Sequence, residues 1–389
     1  MGNRSFHSLS ALCEDKKDLV AKIHDIATVL NRHVINSFDI GVSHGVMGFI
    51  LFWTYYYRWT PQEEIDQKTQ LLLANHYKYL KQSVVPFQIT NLRIPGNALT
   101  AYERDLVEVG WAYEILSSLN VVDAECIHEI MEPCDRILFR KMIDITMSPT
   151  LEHISDAIIV GSYCLYKKER LPKEFLRRFV LELHSQTQKN NFQYYLHKIA
   201  PKDLTGLILL LDKIFSIHPD ILYTKETQFI IYKKWTESNE SYSINMSTHP
   251  NQDIWRLYAM LYDEIYKKNA MDILAQNKDI IYKHILENVD VELGMEGGLM
   301  CWGQQLLRIY EQTQDQDYNI LSKICCQKFI KKSASCGSLL YGTPMLPSIS
   351  QNIYHVNACF KNGISGIGLA FLAQLSDAPT LWDEFFNLS

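Results

Sequence analysis

The sequence predicts an all-α protein: an α/α toroid (barrel) of about seven helical hairpins in two concentric layers. Three observations lead there. Apolar residues recur at helical spacing along the chain. Alternating strand patterns are scarce, and the Asn362-Gly363 dipeptide precedes a helix rather than joining two strands. One glycine- or aspartate-marked helix start returns seven times, the signature of a repeat architecture.

The elements follow in order. Leu19, Ile23, Ile26, Ala27 and Leu30 make the first apolar stripe. The first marked start is Gly41-Val-Ser-His-Gly45-Val-Met-Gly48, which runs into an apolar helix ending near Trp53. The second runs from Asp105 through Gly110 to Leu116, and weaker copies begin at Asp156, Asp203 and Asp253. The sixth surrounds Gly298, and the seventh is Gly363-Ile-Ser-Gly366-Ile-Gly368. Further stripes cover Phe175 to Leu183, Ile254 to Ile265 and Leu306 to Tyr310. Turn signals lie at Leu171-Pro172-Lys173, Ser216 to Asp220, Ser238 to Ser243 and Ser333 to Gly337.

Starts at 41, 105, 156, 203, 253, 298 and 363 leave each unit room for two helices. Such hairpins either stack openly or close into a ring. Closure is expected here, because glycine at a helix start lets backbones crowd around an axis. An open stack would want a polar terminal repeat, yet GISGIGLAFLAQL is the most apolar of all. The expected organisation is one domain, residues 1–389. Tyr55 to Tyr57 and Tyr194-Tyr195 are expected at the seam between the two helix layers.

Composition narrows the function classes. Hydrophobic residues make 47% and charged residues 21% of 389, which excludes a disordered or fibrous chain. With 38 basic against 44 acidic residues and no basic stretch, nucleic acid is not an expected partner. Nine cysteines without a Cys-x-x-Cys pair read as reduced thiols packed as small apolar groups. The first 19 residues hold no apolar leader core, and Val46 to Tyr57 is too short to span a bilayer. A soluble cytoplasmic protein is therefore expected.

GVSHGVMGFILFW, EVGWAYEIL and above all the closing KNGISGIGLAFLAQLSDAPTLWDEFFNLS resemble the lanthionine synthetase C-like cyclases. In that family a Gly-x-x-Gly-x-Gly-Leu helix is followed by a short loop and a terminal Trp-Asp, matched by Gly363, Gly366, Gly368, Trp382 and Asp383. The resemblance implies an α/α toroid with a zinc ion in its central cavity. The zinc would be held by the cysteine of a Trp-Cys-Tyr-Gly motif and by an adjacent Cys-His pair. The chemistry implied is addition of a peptide thiolate to dehydroalanine or dehydrobutyrine, closing a thioether ring. The partners implied are a dehydrated precursor peptide and a lanthipeptide dehydratase or transporter.

The chain departs from the family where the metal should sit. Residues 243–255 read SINMSTHPNQDIW, without cysteine, and Met295-Glu296-Gly297-Gly298 stands where Cys-His-Gly is expected. His249 and Cys301 lie near the expected places, each alone in its unit. No zinc and no other cofactor is expected, so the protein would bind the peptide without zinc-dependent ring closure.

His44, Glu108 and Glu296 are the candidates for chemistry, and Asp105, Asp156, Asp253 and Trp302 for substrate binding. His44 also reads as a hydrogen-bonded structural residue, and the aspartates, Asp203 among them, as helix N-caps. Cys336, His355 and Cys359 offer another metal set, with His355 and Cys359 one turn apart. Two other functions stay open. One is a carbohydrate-active toroid enzyme using paired carboxylates, with Trp53, Trp111, Trp255 and Trp302 for stacking. The other is a non-catalytic scaffold of a peptide-modification complex.

Overall fold

The computed structural model describes residues 16–32, 39–91, 98–148, 150–167, 170–237, 250–262, 266–287, 295, 298–335, 359–361, 363–375 and 382. Sixteen helices and no strand occur among the described residues, so the chain is all-α. Each of the seven marked starts falls at or within the first two turns of a helix. These are α2 (Val46–Trp59), α4 (Ala101–Ser118), α6 (Ile154–Tyr166), α9 (Pro201–Ile217), α11 (Pro250–Met260), α14 (Leu299–Thr313) and α16 (Ile364–Leu375).

Other helices lie before or between them. They are α1 (Lys16–Arg32), α3 (Glu63–Asn91), α5 (Ala124–Met147), α7 (Arg170–Thr187), α8 (Phe192–Leu196), α10 (Thr224–Glu237), α12 (Lys267–Gln276), α13 (Lys278–Glu287) and α15 (Gln316–Ser335). The expected turn at Pro172 is instead the first turn of α7, where a proline forfeits no intrahelical bond. Of the expected Ile254–Ile265 stripe, Ile254 to Met260 is in α11 and residues 263–265 lie outside the described set. No helix among the described residues is long and apolar enough to cross a membrane.

The chain forms two compact units, residues 1–77 with 276–380 and residues 78–275 with 381–389. In the second unit the marked helices pack in succession, α4 on α6, α6 on α9 and α9 on α11. The intervening helices α5, α7 and α10 pack on one another and on this row, making a second layer. A hydrogen bond from Thr205 Oγ1 to the Trp255 carbonyl, 3.0 Å, ties α9 to α11 inside the core. In the first unit α14 packs on α16 and α16 on α2, so the last marked helix lies against the first. There α15 and α1 supply the other layer.

Burial explains why the marked helices lack a polar face. Every residue from Ile364 to Ala373 is buried, as is every residue from Val46 to Thr54. A helix enclosed on all sides has no solvent face to make polar. Helix α7, which has one side in water, buries Leu176, Phe179, Val180 and Leu183 and exposes Glu174 and Arg178. Tyr56 is buried and its hydroxyl bonds His24 Nδ1 of α1 at 2.7 Å, across the two layers. Tyr194 is not a seam residue: it is 59% exposed, because the five-residue α8 sinks only Phe192 and Leu196. Trp382 is wholly buried in the second unit, and Asp383 lies outside the described residues.

Candidate functional site

The glycine-rich starts of the first unit converge through backbone contacts. Helix α2 has no side-chain cap; Gly45 stands at its N-cap in extended conformation. The preceding loop folds back instead. The Val46 amide donates to the Asp39 carbonyl (2.9 Å) and the Met47 amide to that of Gly41 (3.2 Å). These bonds satisfy donors that a helix end otherwise leaves to water. They also demand glycine, since a Cβ on Gly45 would stand 2.2 Å from the Asp39 oxygen. Gly366 repeats the device at the start of α16, where a Cβ would meet the Phe360 oxygen at 2.0 Å.

The loops are then joined. The Lys361 amide donates to the Ser43 carbonyl (3.0 Å), and the Met295 amide donates to the Lys361 carbonyl (3.2 Å). The loops before α2, α14 and α16 thus form one backbone-bonded cluster. His44 sits within it and is exposed, between buried Ser43 and Gly45. His76 on α3 is buried and donates from Nε2 to the Ile40 carbonyl at 3.1 Å. Burial drops its pKa to about 4, so the ring is neutral at ordinary pH.

Trp302, on α14, is 3% exposed and packs against the ring of His284 from α13, centroids 5.1 Å apart. Cys301 beside it is buried, and Cys359 is half-buried. Glu296, His249, Cys336 and His355 lie outside the described residues.

The acidic candidates fall in the second unit. Helix α4 is capped by Thr100 in a capping box with Glu103, so it begins one turn before Asp105. Asp105 is therefore not an N-cap; it is half-buried in the second turn. Glu108 is buried one turn further on. Asp156 is 1% exposed and caps nothing in its own helix; its carboxylate accepts from the Leu99 amide (2.9 Å) and from Arg104 Nε (2.8 Å). That arrangement clamps the start of α4 to the start of α6. Asp253 is half-buried in the first turn of α11, where its charge acts on Arg256, whose guanidinium lies over the Trp235 ring at 5.5 Å.

Two charged networks lay outside the expectation. Lys141 Nζ meets both Glu103 oxygens, at 2.7 and 2.5 Å, in a buried pair. Lys167, 2% exposed at its side chain, bridges Glu114 (3.3 Å) and Asp135 (3.1 Å), and Asp135 also accepts from the Tyr163 hydroxyl at 2.7 Å. The Thr-x-x-Glu capping motif at 100–103 was a legible signal for Glu103, whereas nothing in the sequence marks Lys167. Burial pushes the Cys134 thiol up to about 12 and also raises Cys164 and Cys325 well above the ordinary thiol range. These cysteines are packed thiols; Cys164 donates to the Pro172 carbonyl at 3.1 Å. Among the described residues no three His, Cys, Asp or Glu side chains group to hold a metal ion. Neither a family model nor a curated protein matches this chain.

Proposed function

We propose that the chain is a lanthionine synthetase C-like protein whose seven hairpins close into an α/α toroid. It binds a dehydrated precursor peptide and does not perform zinc-dependent thioether closure. The observation that carries this reading is the contact of α16 with α2, with Lys361 bonded to Ser43. An open stack holds its first and last repeats apart, whereas a ring needs them side by side. The two layers within each unit support the same architecture.

Zinc would supply a deprotonated peptide thiol, held ready for addition. The donor set does not fit it: Met295 and Glu296 replace the Cys-His pair, and residues 243–255 supply no cysteine. Without a metal, a peptide cysteine near pH 7 is only a few per cent thiolate, so addition is slow. Binding and orienting the peptide is the function these residues support. Exposed His44, on a loop fixed at both flanks, is the proposed peptide contact.

The test uses the full-length protein with a synthetic peptide carrying one dehydroalanine and one cysteine. Saturable binding that exceeds the serine-containing control, with zinc far below one per chain and no ring closure above the spontaneous rate, is expected. Equal binding of both peptides, or stoichiometric zinc with fast closure, would sink the reading. Small-angle scattering checks the ring independently: a compact chain of 389 residues has a radius of gyration of about 21 Å. An open array would be markedly larger.

A further inference from the structure

We propose that His76 is the positioning residue for the loop that presents His44, holding Asp39–Gly45 in place through the Ile40 carbonyl. The inference rests on reading that loop as the peptide-contacting part of the site.

Four carbonyls of the loop have assigned donors. Asp39 and Gly41 accept from the first amides of α2, and Ser43 accepts from Lys361. Those three bonds are backbone to backbone and follow from the chain path. Ile40, itself buried, accepts from a side chain. A carbonyl can only accept, so the ring must carry its proton on Nε2. His76 is 4% exposed, and a residue of similar size without a donor would leave the buried Ile40 oxygen short of this bond. Because burial keeps the ring neutral down to about pH 4, the bond is constant across the physiological range. His76 is thus a fixed strut under the loop. A glutamine can place an amide N–H near the Nε2 position; a leucine fills the space and donates nothing.

Hydrogen exchange by mass spectrometry on the full-length wild type, H76L and H76Q tests this, together with a histidine-selective NMR spectrum of each. In H76L the amides of segments 41–50 and 361–368 are expected to exchange at least tenfold faster, with segment 154–166 unchanged. The His44 ring resonance is expected to shift and broaden. H76Q should restore both. Loop amides as protected in H76L as in wild type would overturn the proposal. So would H76Q behaving like H76L, or an equal rise in segment 154–166, which would mean general destabilisation. Failure of the wild type to bind the dehydroalanine peptide would sink the proposed function and leave the exchange result standing.

Discussion

The amide of Lys361 donates to the carbonyl of Ser43 across 3.0 Å, joining residues from opposite ends of the chain. Around this bond the glycines become explicable. Gly48 would place a Cβ 2.7 Å from the Cβ of Phe360, and Gly366 would place one against the Phe360 oxygen. Between the helices themselves, a Cβ on Gly368 would stand 2.4 Å from the Phe52 ring, so the first and last marked helices approach where a side chain would collide.

Replacing Gly366 by alanine should therefore destabilise the protein by about 3 kcal/mol, because a backbone oxygen cannot step aside. The control is Gly303→Ala. There the new Cβ meets Cys325 Cβ at 3.2 Å, and the gain in helix propensity, about 1 kcal/mol, offsets the crowding. Urea unfolding midpoints should fall sharply for the first and shift little for the second. Equal shifts would mean that the close approach at Phe360 is not what selects glycine.

His76 sets an acid dependence. Its folded pKa, about 4, lies below the unfolded value of about 6.5, so the unfolded chain binds the extra proton between those pH values. The stability tied to its neutral form is complete above pH 6.5 and is lost as pH falls toward 4. The loss amounts to about 3 kcal/mol. Comparing unfolding free energies of wild type and H76Q at pH 7 and pH 4.5 isolates the term. The wild type should lose more, and parallel losses would refute the assignment.

The pair Glu103–Lys141 makes a sharper case than the surface ion pairs. Lys141→Met should cost about 3–5 kcal/mol by stranding a buried carboxylate beside the α4 cap. Changing Glu103 to Gln in the same protein should recover much of it, since the amide can still bond the Thr100 amide. A double mutant as unstable as the single one would show that packing of the Lys141 stem dominates.

Asp156 separates scaffold from site. Asp156→Ala should cost about 1–3 kcal/mol by leaving the buried Leu99 amide without its acceptor, and Asp156→Asn about half of that. Neither change should alter affinity for the dehydroalanine peptide at temperatures where the variants stay folded. A selective loss of affinity in Asp156→Asn would return this carboxylate to the binding surface.

The acidic candidates show where reading the sequence stopped. Asp105, Asp156, Asp203 and Asp253 share a place in the repeat and looked alike. Thr100 then caps α4, Asp156 clamps another helix, and Asp203 and Asp253 remain in the first turns of α9 and α11. Local sequence carries helix-start preferences, but which partner a carboxylate meets is set by residues about fifty positions away. Trp302 gives the same lesson: its indole meets His284 of another helix, a pairing that local sequence does not carry.

Helical periodicity and the recurrent glycine and aspartate marks determined by themselves that the chain is all-α and, to within about a turn, where seven of its helices begin. Both signals are local, arising from side-chain spacing and backbone crowding within a few residues. The tertiary structure alone decided that the seventh start lies against the first, that Lys167 and Lys141 find buried carboxylates, and that His76 supports the Ile40 carbonyl. Those pairings join residues far apart in the chain, and their geometry exists only once the helices have packed.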